Sequence, residues 1–215
     1  MVEAIEYEDL TEKVYVRIRE LIISGELEPG SKLLQEELSA RLGISRTPLL
    51  AAFSRLAKEM LVEFVPRRGA FVRKLSKKEI LDLFDIRTRL EPLGALGAAS
   101  AASPKDIEEL AESLERFKSA VADSSPHSIR QADFDFHTLI MKLSGNSLLF
   151  DLVESHNLVC MANQRGIILK PERSLADHVQ IFQSIATRNP RSAEAAMRRH
   201  LSAARAAWAA TLAND

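Results

Sequence analysis

From Ser76 to its last residue, the chain contains regularly spaced helix-breaking pairs and no strand pattern, and this feature restricts its fold most. Proline is tolerated in the first turn of a helix, and glycine or asparagine commonly ends one. The apolar spacing between these breaks predicts six amphipathic helices, which indicate an all-α bundle with its own interior. The breaks are Ser103-Pro104, Ser125-Pro126, Gly145-Asn146, Lys170-Pro171 and Asn189-Pro190, and the predicted helices span 77–100, 104–122, 126–143, 147–165, 171–187 and 190–213.

The segment before Ser76 has a different pattern. Apolar residues at helical spacing predict a first helix over Leu10–Ser24, and a second helix over Gln35–Leu42 ends at Gly43. A third helix is expected to begin at Ser45, whose hydroxyl can accept a hydrogen bond from a backbone amide of the first turn.

Two short β stretches follow the third helix. They cover Leu61–Val65 and Ala70–Arg73, and the turn sequence Pro66-Arg67-Arg68-Gly69 joins them. Three helices followed by a hairpin is the order of a winged helix-turn-helix. The expected fold class is therefore mainly α, with a winged helix-turn-helix domain at residues 1–75 and an all-α helical bundle domain at residues 76–215.

The net charge of the chain is only −1, but the charge is unevenly distributed. Between Pro29 and Lys74, nine basic and four acidic residues give a net charge of +5. A basic module on a neutral chain favours a surface that faces nucleic-acid phosphates. Charge alone also allows an ordinary solvated face.

Composition narrows the setting in which the protein works. The one cysteine, Cys160, cannot form an internal disulfide and is expected to be a buried thiol. No apolar run approaches the length of a membrane span, and the acidic N-terminus does not resemble a signal peptide. We therefore expect a cytoplasmic protein with no membrane partner.

Three N-terminal stretches match the pattern of a known family. They are Gly30-Ser31-Lys32-Leu33, Leu42-Gly43-Ile44-Ser45-Arg46-Thr47-Pro48 and Arg67-Arg68-Gly69-Ala70-Phe71-Val72. Over these residues the sequence resembles the GntR family of transcription regulators. The rest resembles the FCD effector domain of that family's FadR branch, and the six-helix count favours the shorter, VanR-like form.

The resemblance implies DNA contacts at Ser45, Arg46, Thr47, Arg68 and Gly69. General chemistry agrees, because an arginine at the start of a reading helix, such as Arg46, can donate two hydrogen bonds to guanine in the major groove. Arg67 and Arg68 beside Gly69 suit the negative potential of the minor groove.

Two positions depart from the family pattern. Leu50 stands where an arginine is common on the groove face, and Glu36 replaces a residue that is basic in some relatives. We predict that Leu50 contacts thymine methyl groups and favours an A/T-leaning half-site. The alternative is that Leu50 packs against a partner helix.

Four residues of the C-terminal segment are candidate metal ligands. Asp133 and His137 stand four residues apart on one predicted helix, so their side chains share a face. His178 and His200 lie on two further helices, and the four could meet in a bundle core that suits zinc or nickel. Spacing alone also allows hydrogen-bonded core histidines, whereas the resemblance to the FadR branch implies a metal site.

Asp135, on the same helix as the first pair, is a weaker ligand candidate. The other two histidines are not expected to be ligands. His127 is expected to be exposed, and His156 lies where the family pattern requires no ligand.

A metal held by four protein ligands keeps one or two coordination positions for a small carboxylate. Arg87 matches the arginine of the family's first effector helix and could pair with such an effector, and Arg165 is a weaker candidate. The alternative for Arg87 is an ion pair with Asp133 or Glu91.

These features together predict a transcription regulator, expected to be a repressor, rather than an enzyme. Two chains are expected to pair through their effector domains and to bind a near-palindromic DNA operator. A small carboxylate bound at the metal would change operator affinity. The alternatives are a metal-dependent hydrolase, for which the sequence contains no His-Glu-x-x-His or Gly-x-Ser-x-Gly motif, and a regulator that senses the metal directly.

Overall fold

The computed structural model describes residues 7–163 and 169–212, and the contacts among them divide into two compact units. One unit contains the described residues up to Leu75 together with Met161–Asn163. The other contains Ser76–Cys160 and the described residues from 169 onward.

The N-terminal unit is a three-helix module followed by a β-hairpin. Its elements are α1 (Tyr7–Ile23), α2 (Gln35–Leu42), α3 (Arg46–Lys58), β1 (Val62–Val65) and β2 (Gly69–Val72). The two strands are antiparallel, and the register pairs Val62 with Val72 and Val65 with Gly69. The predicted winged helix-turn-helix is confirmed. The strands begin and end within one residue of the expected positions.

A third extended segment, which the sequence analysis missed, lies against the hairpin. Lys32 forms an antiparallel bridge with Phe71. The backbone amide of Leu33 donates to Ala70 O, and that of Val72 donates to Ser31 O, both at 2.9 Å. A segment that forms only one bridge is too short to show alternating apolar and polar residues. Strand prediction depends on that alternation.

Helices α1 and α3 share the core of this unit, and their packing holds α3, the predicted reading helix, in place. Ile18, Leu49 and Phe53 are fully buried between them. The Tyr15 hydroxyl on α1 donates to both carboxylate oxygens of Glu59, at 2.8 and 2.9 Å. Burial and the hydrogen bond to Glu59 raise the pKa of Tyr15 to about 12, so this link persists at neutral pH.

Over the residues that the structure describes, the C-terminal unit is a bundle of six helices, as predicted. They are α4 (Lys77–Ala101), α5 (Pro104–Ala122), α6 (Pro126–Leu143), α7 (Ser147–Asn163), α8 (Pro171–Ala186) and α9 (Pro190–Leu212). Helix α7 was expected to reach residue 165, and the last two residues of that prediction lie outside the described residues. Within the described parts of the chain, no helix is both long and apolar enough to cross a membrane.

Local sequence explains where these helices begin. Ser76 forms a capping box with Glu79 at the start of α4, and Ser103 forms one with Asp106 at the start of α5. Prolines occupy the first position of α5, α6, α8 and α9, where the missing N–H costs nothing. The expected helix starts are therefore confirmed.

Pro92 lies inside α4, where it cannot donate to the carbonyl of Thr88 four residues earlier. Arg198 on α9 donates to that carbonyl oxygen at 3.4 Å. A side chain of a neighbouring helix thus partly replaces the missing backbone donor, and α4 continues to Ala101.

The bundle core contains the ring of Phe136 together with Ile140, Ile181, Met197 and Leu201, all fully buried. Helices α4 and α6 approach closely at Gly94. A Cβ atom at this position would collide with the end of the Met141 side chain. This core surrounds the candidate site on several sides.

Candidate metal centre and DNA-reading surface

The structure brings the four predicted ligand residues together inside the bundle. Asp133 and His137 lie on α6, His178 on α8 and His200 on α9. One ligand atom from each residue lies within 4.8 Å of the other three. The histidines are buried, at 1%, 0% and 4% exposure in that order, whereas the Asp133 side chain is 35% exposed.

Aromatic packing holds the rings of the cluster in position. His178 lies between Phe136, stacked at 4.5 Å between ring centroids, and Phe117, tilted at 4.6 Å. The rings of His137 and His200 are 5.2 Å apart, and each is about as close to His178. A ring enclosed in this way keeps one orientation, which favours a preformed ligand set.

Carboxylates contact the Nδ1 atoms of two of the histidines and orient their rings. His137 Nδ1 lies 2.5 Å from Glu91 Oε2, and His200 Nδ1 lies 3.3 Å from Asp177 Oδ2. A carboxylate on one ring nitrogen fixes the tautomer and directs the other nitrogen elsewhere, the arrangement found behind metal-binding histidines.

The electrostatics of the site favour neutral His178 and His200 beside an ionised Glu91. Burial lowers the pKa of His178 well below its usual value, and it also lowers that of His200 despite the hydrogen bond that the His200 ring donates to Asp177. Burial raises the pKa of Glu91, but the neighbouring Arg87 and His137 outweigh it and hold that pKa far below its usual range. Neutral imidazole is the form that binds a metal ion.

Unpartnered nitrogen atoms test whether these residues fit a metal. His137 Nε2 and both ring nitrogens of His178 are buried without a hydrogen-bond partner among the described residues. Asp133 Oδ1 lies 3.4 Å from His178 Nε2 without making a hydrogen bond. Core histidines held only by hydrogen bonds would not leave these nitrogens unpaired. The donor set, three nitrogens and one oxygen, fits a borderline divalent cation.

Arg87 lies beside the cluster but not in it. It is buried, and its Nε donates to Glu91 Oε1 at 2.5 Å. Glu91 therefore connects the predicted effector arginine to the predicted ligand His137. Of the two ion pairs considered for Arg87 in the sequence, the structure contains the one with Glu91.

Asp135 and His127 fall outside the cluster. Asp135 accepts a hydrogen bond from Gln131 at 2.8 Å, and His127 is exposed at the start of α6. Arg165 and the side chain of His156 lie outside the described residues. The sequence analysis gave no site role to Glu91 and Asp177, although the four-residue spacing from Arg87 and the Asp177-His178 pair were visible signals.

We expect the Glu91→Gln substitution to lower zinc affinity about tenfold, within the usual range for a group that orients a metal ligand. The amide keeps the size of the side chain but removes the charge opposite His137 and Arg87. Zinc titration by calorimetry measures the effect. Glu194→Gln removes a carboxylate that pairs with Arg198 away from the cluster, and it should leave zinc affinity unchanged.

The DNA-reading surface predicted on α3 is exposed. Arg46, Thr47, Ala51 and Ser54 all lie on the solvent side, and Leu50 is 38% exposed. The opposite face of the helix is buried, as the apolar pattern predicted.

The capping role predicted for Ser45 is wrong. Ser45 is the N-cap of α3, but its side chain makes no cap hydrogen bond. The usual donor to an N-cap side chain is the backbone amide two or three residues further on. The residue three positions after Ser45 is Pro48, which has no N–H.

Arg46 forms an ion pair across the reading surface. Its Nη2 lies 2.6 Å from Glu36 Oε1, and both side chains are exposed. The acidic departure from the family pattern thus contacts the arginine that is predicted to read guanine.

The wing has the backbone geometry of a tight turn. Arg67 and Gly69 both have positive φ, 64° and 101°, and the Arg68 amide donates to Val65 O at 3.0 Å. The Arg68 guanidinium lies 5.2 Å from the centre of the Phe71 ring. A side chain at Gly69 would be strained at this φ, so glycine fits the position.

Known proteins resemble both units. Residues 10–72 match the family model for bacterial regulatory proteins of the gntR family, and residues 82–203 match that of the FCD domain. The chain is 27% identical to the HTH-type transcriptional repressor RspR of Escherichia coli, over 89% of this chain and 86% of that protein.

Two further proteins extend the comparison. The HTH-type transcriptional regulator LutR of Bacillus subtilis is 30% identical, over 84% of this chain and 93% of its own. The crystal structure of a GntR regulator from Rhodococcus sp. RHA1 has the same fold, with a TM-score of 0.78 at 24% identity over 93% of this chain and 97% of that one. The prediction of a regulator rather than an enzyme is confirmed, and the chain belongs to the GntR family of bacterial transcription regulators that carry an FCD domain.

Proposed function

We propose that this regulator is a repressor whose affinity for its operator is switched by a small organic acid bound at a divalent metal in the C-terminal bundle. The observation that carries the proposal is the meeting of three buried imidazoles and one carboxylate within 4.8 Å. Burying unpaired polar atoms is costly. A bound ion would give the nitrogens the partners that they lack.

Asp133, His137, His178 and His200 would hold the metal, with zinc or nickel as the ions that suit this donor set. When bound, such an ion supplies a Lewis-acid contact for a carboxylate. The four side chains hold the ion, and Glu91 and Asp177 keep two of the rings oriented toward it.

Arg87 is the residue that we assign to the effector's second charged group. A guanidinium binds a carboxylate with two parallel hydrogen bonds, and Arg87 already binds one in Glu91. An effector carboxylate that reached Arg87 would share it with Glu91, whose other oxygen contacts His137. Effector and metal would therefore act on the same buried carboxylate.

On the DNA side, two copies of the chain would place two α3 helices in successive major grooves of a near-palindromic operator. Ser45, Arg46, Thr47 and Leu50 would face the major groove, and the exposed wing with Arg67, Arg68 and Gly69 would reach the minor groove. Bacterial operators lie in the cytoplasm, which is where we expect the protein to act.

An operator selected from random duplex DNA with the full-length protein provides the test. Acetate, succinate and citrate serve as probe mono-, di- and tricarboxylates, titrated into the zinc-loaded protein. We expect at least one of them to change operator affinity by about fivefold or more, the lower end of typical coupling between sites. Calorimetric binding of these acids without any change in operator affinity would contradict the proposal.

The same titration distinguishes a direct metal sensor. A metal-stripped protein that loses operator affinity, and regains it on addition of zinc alone, would favour metal sensing over metabolite sensing. Under our proposal the acid, and not the metal alone, produces the larger change.

We expect the Glu36→Gln substitution to raise affinity for non-operator DNA. Glu36 neutralises Arg46 at 2.6 Å and places a negative charge near the DNA phosphates. Removing that charge should strengthen binding to all sequences by a similar factor and leave the ratio of operator to non-operator affinity nearly unchanged. Fluorescence anisotropy with both DNAs, repeated over a series of salt concentrations, measures the ratio. Glu20→Gln, which removes an exposed charge paired with Arg17 on α1, serves as the control.

A further inference from the structure

The part of helix α9 that follows its cluster residue, His200, contacts the N-terminal turns of α4. His200 lies in the middle of α9, and Arg205 and Trp208 follow it on the next turns. At 1.5 Å per residue, Trp208 lies about 12 Å along the helix axis from His200. Trp208 contacts the first residue of α4, and Arg205 contacts Asp85, two turns further along that helix.

These contacts are polar and specific. Arg205 Nε and Nη2 donate to the two carboxylate oxygens of Asp85, at 2.7 and 2.9 Å. The Trp208 indole N–H donates to the backbone carbonyl of Lys77 at 3.0 Å. Lys77 is the first residue of α4, directly after the Ser76 cap and two residues beyond Leu75, the last residue of the N-terminal stretch of the other unit. The polar contacts therefore reach the point where the DNA-binding segment joins the bundle.

The two helices also run against each other in opposite directions. From the C-terminal part of α9 toward its middle, Trp208, Arg205 and Arg198 contact successively later positions of α4, at Lys77, Asp85 and Thr88. Three side chains of one helix thus fix its position along the other. Because packed helices have few alternative positions, a displacement of α9 would also move the start of α4.

Metal binding would draw the ligand atoms of the cluster slightly closer together. These atoms lie within 4.8 Å of one another. Two atoms that are bonded to one zinc ion at about 2.1 Å each can be no more than about 4.2 Å apart. His200 is the ligand on α9, so drawing the ligands together would pull on that helix.

We propose that the Asp85–Arg205 ion pair and the Trp208–Lys77 hydrogen bond transmit occupancy of the metal cluster to the first turn of α4. This inference rests on the proposed function, because it takes the cluster to be a metal site. Arg205 and Trp208 are positioning residues in this account, since neither contacts the cluster itself.

Trp208 is also the one tryptophan in the chain, so its fluorescence reports directly on this junction. Metal-stripped full-length protein is titrated with Zn²⁺ alone, and binding is measured in parallel by calorimetry. We expect the Trp208 emission of the wild type to change in step with Zn²⁺ binding. Arg205→Gln should keep its Zn²⁺ affinity within about fivefold, the lower end of typical coupling, while most of the change in emission is lost because the ion pair no longer joins the two helices.

Matched variants separate this effect from general damage. Asp85→Asn breaks the same ion pair from α4 and should reproduce the Arg205→Gln result. Lys78→Gln removes the exposed ion pair with Asp82 on the same turns without touching α9, and it should behave as the wild type. If either single variant fails to fold, the double variant Asp85→Arg with Arg205→Asp restores an ion pair and should recover the emission change.

The outcomes distinguish the two claims. A wild type that binds Zn²⁺ while Trp208 emission stays constant would overturn the coupling and leave the metal site intact. Equal emission changes in the wild type, Arg205→Gln and Asp85→Asn would overturn it as well. A wild type that binds no Zn²⁺ would remove the metal site of the proposed function, and the coupling with it.

Discussion

Replacing His178 with alanine is expected to lower zinc affinity by more than about 100-fold, beyond the range seen when only an orienting group is lost. His178 is the fully buried member of the cluster, and Phe117 and Phe136 hold its ring in position. Alanine removes a donor atom that the surroundings cannot replace. Calorimetric titration of the metal-stripped protein with Zn²⁺ measures the loss.

The control for this experiment is His127→Ala. His127 is an exposed histidine at the start of α6, the helix that also carries Asp133 and His137, so its removal tests for adventitious binding by surface imidazole. Equal zinc affinity of His178→Ala and the wild type would contradict the assignment of the site. A loss in both variants would indicate binding at the surface.

Replacing Arg46 with alanine is expected to weaken operator binding by about 1–3 kcal/mol, or roughly 5- to 150-fold, the usual value of a bidentate arginine–guanine contact. Arg46 is exposed at the first position of α3, where a reading helix presents its side chains to base edges. Binding to non-operator DNA should fall much less. Anisotropy titrations with both DNAs measure the two affinities.

Arg17→Ala is the matched control, because it removes one exposed positive charge, paired with Glu20 on α1, from outside the reading helix. Its effect should be small and alike for both DNAs. If Arg46→Ala reduced both affinities by the same factor, Arg46 would be a phosphate contact and not a base contact.

The elements that the sequence predicted well are those with strong local signals. A proline at the first helical position and a capping serine mark the start of α5 and α6, and both helices begin where expected. The hairpin followed from its turn residues. Features that depend on a distant partner were not predicted: Lys32 forms its bridge with Phe71, and Arg198 of α9 reaches the carbonyl that Pro92 leaves unpaired.

The candidate site shows the same division. The sequence named Asp133, His137, His178 and His200, and the structure brings these four side chains together; that they bind metal stays a prediction. The roles of Glu91 and Asp177 were missed, because the orientation of a ring depends on how α4 and α8 pack against the other helices. Helical spacing gives the face of a residue but not the partner across the interface.

The Ser45 cap failed for a local reason that the sequence already contained. Serine is a favoured N-cap residue, but the third helical position, whose N–H it would bind, is Pro48, which has none. The two signals, each a good indicator of a helix start, conflict when they stand at this spacing.

Anomalous diffraction at the zinc edge, from crystals of the full-length protein grown with Zn²⁺, tests the metal site most directly. We expect one strong peak per chain between α6, α8 and α9, with about 2.0–2.2 Å from the ion to one atom each of Asp133, His137, His178 and His200. A map with no peak there, and with the ring nitrogens of His178 bonded to water instead, would contradict the account.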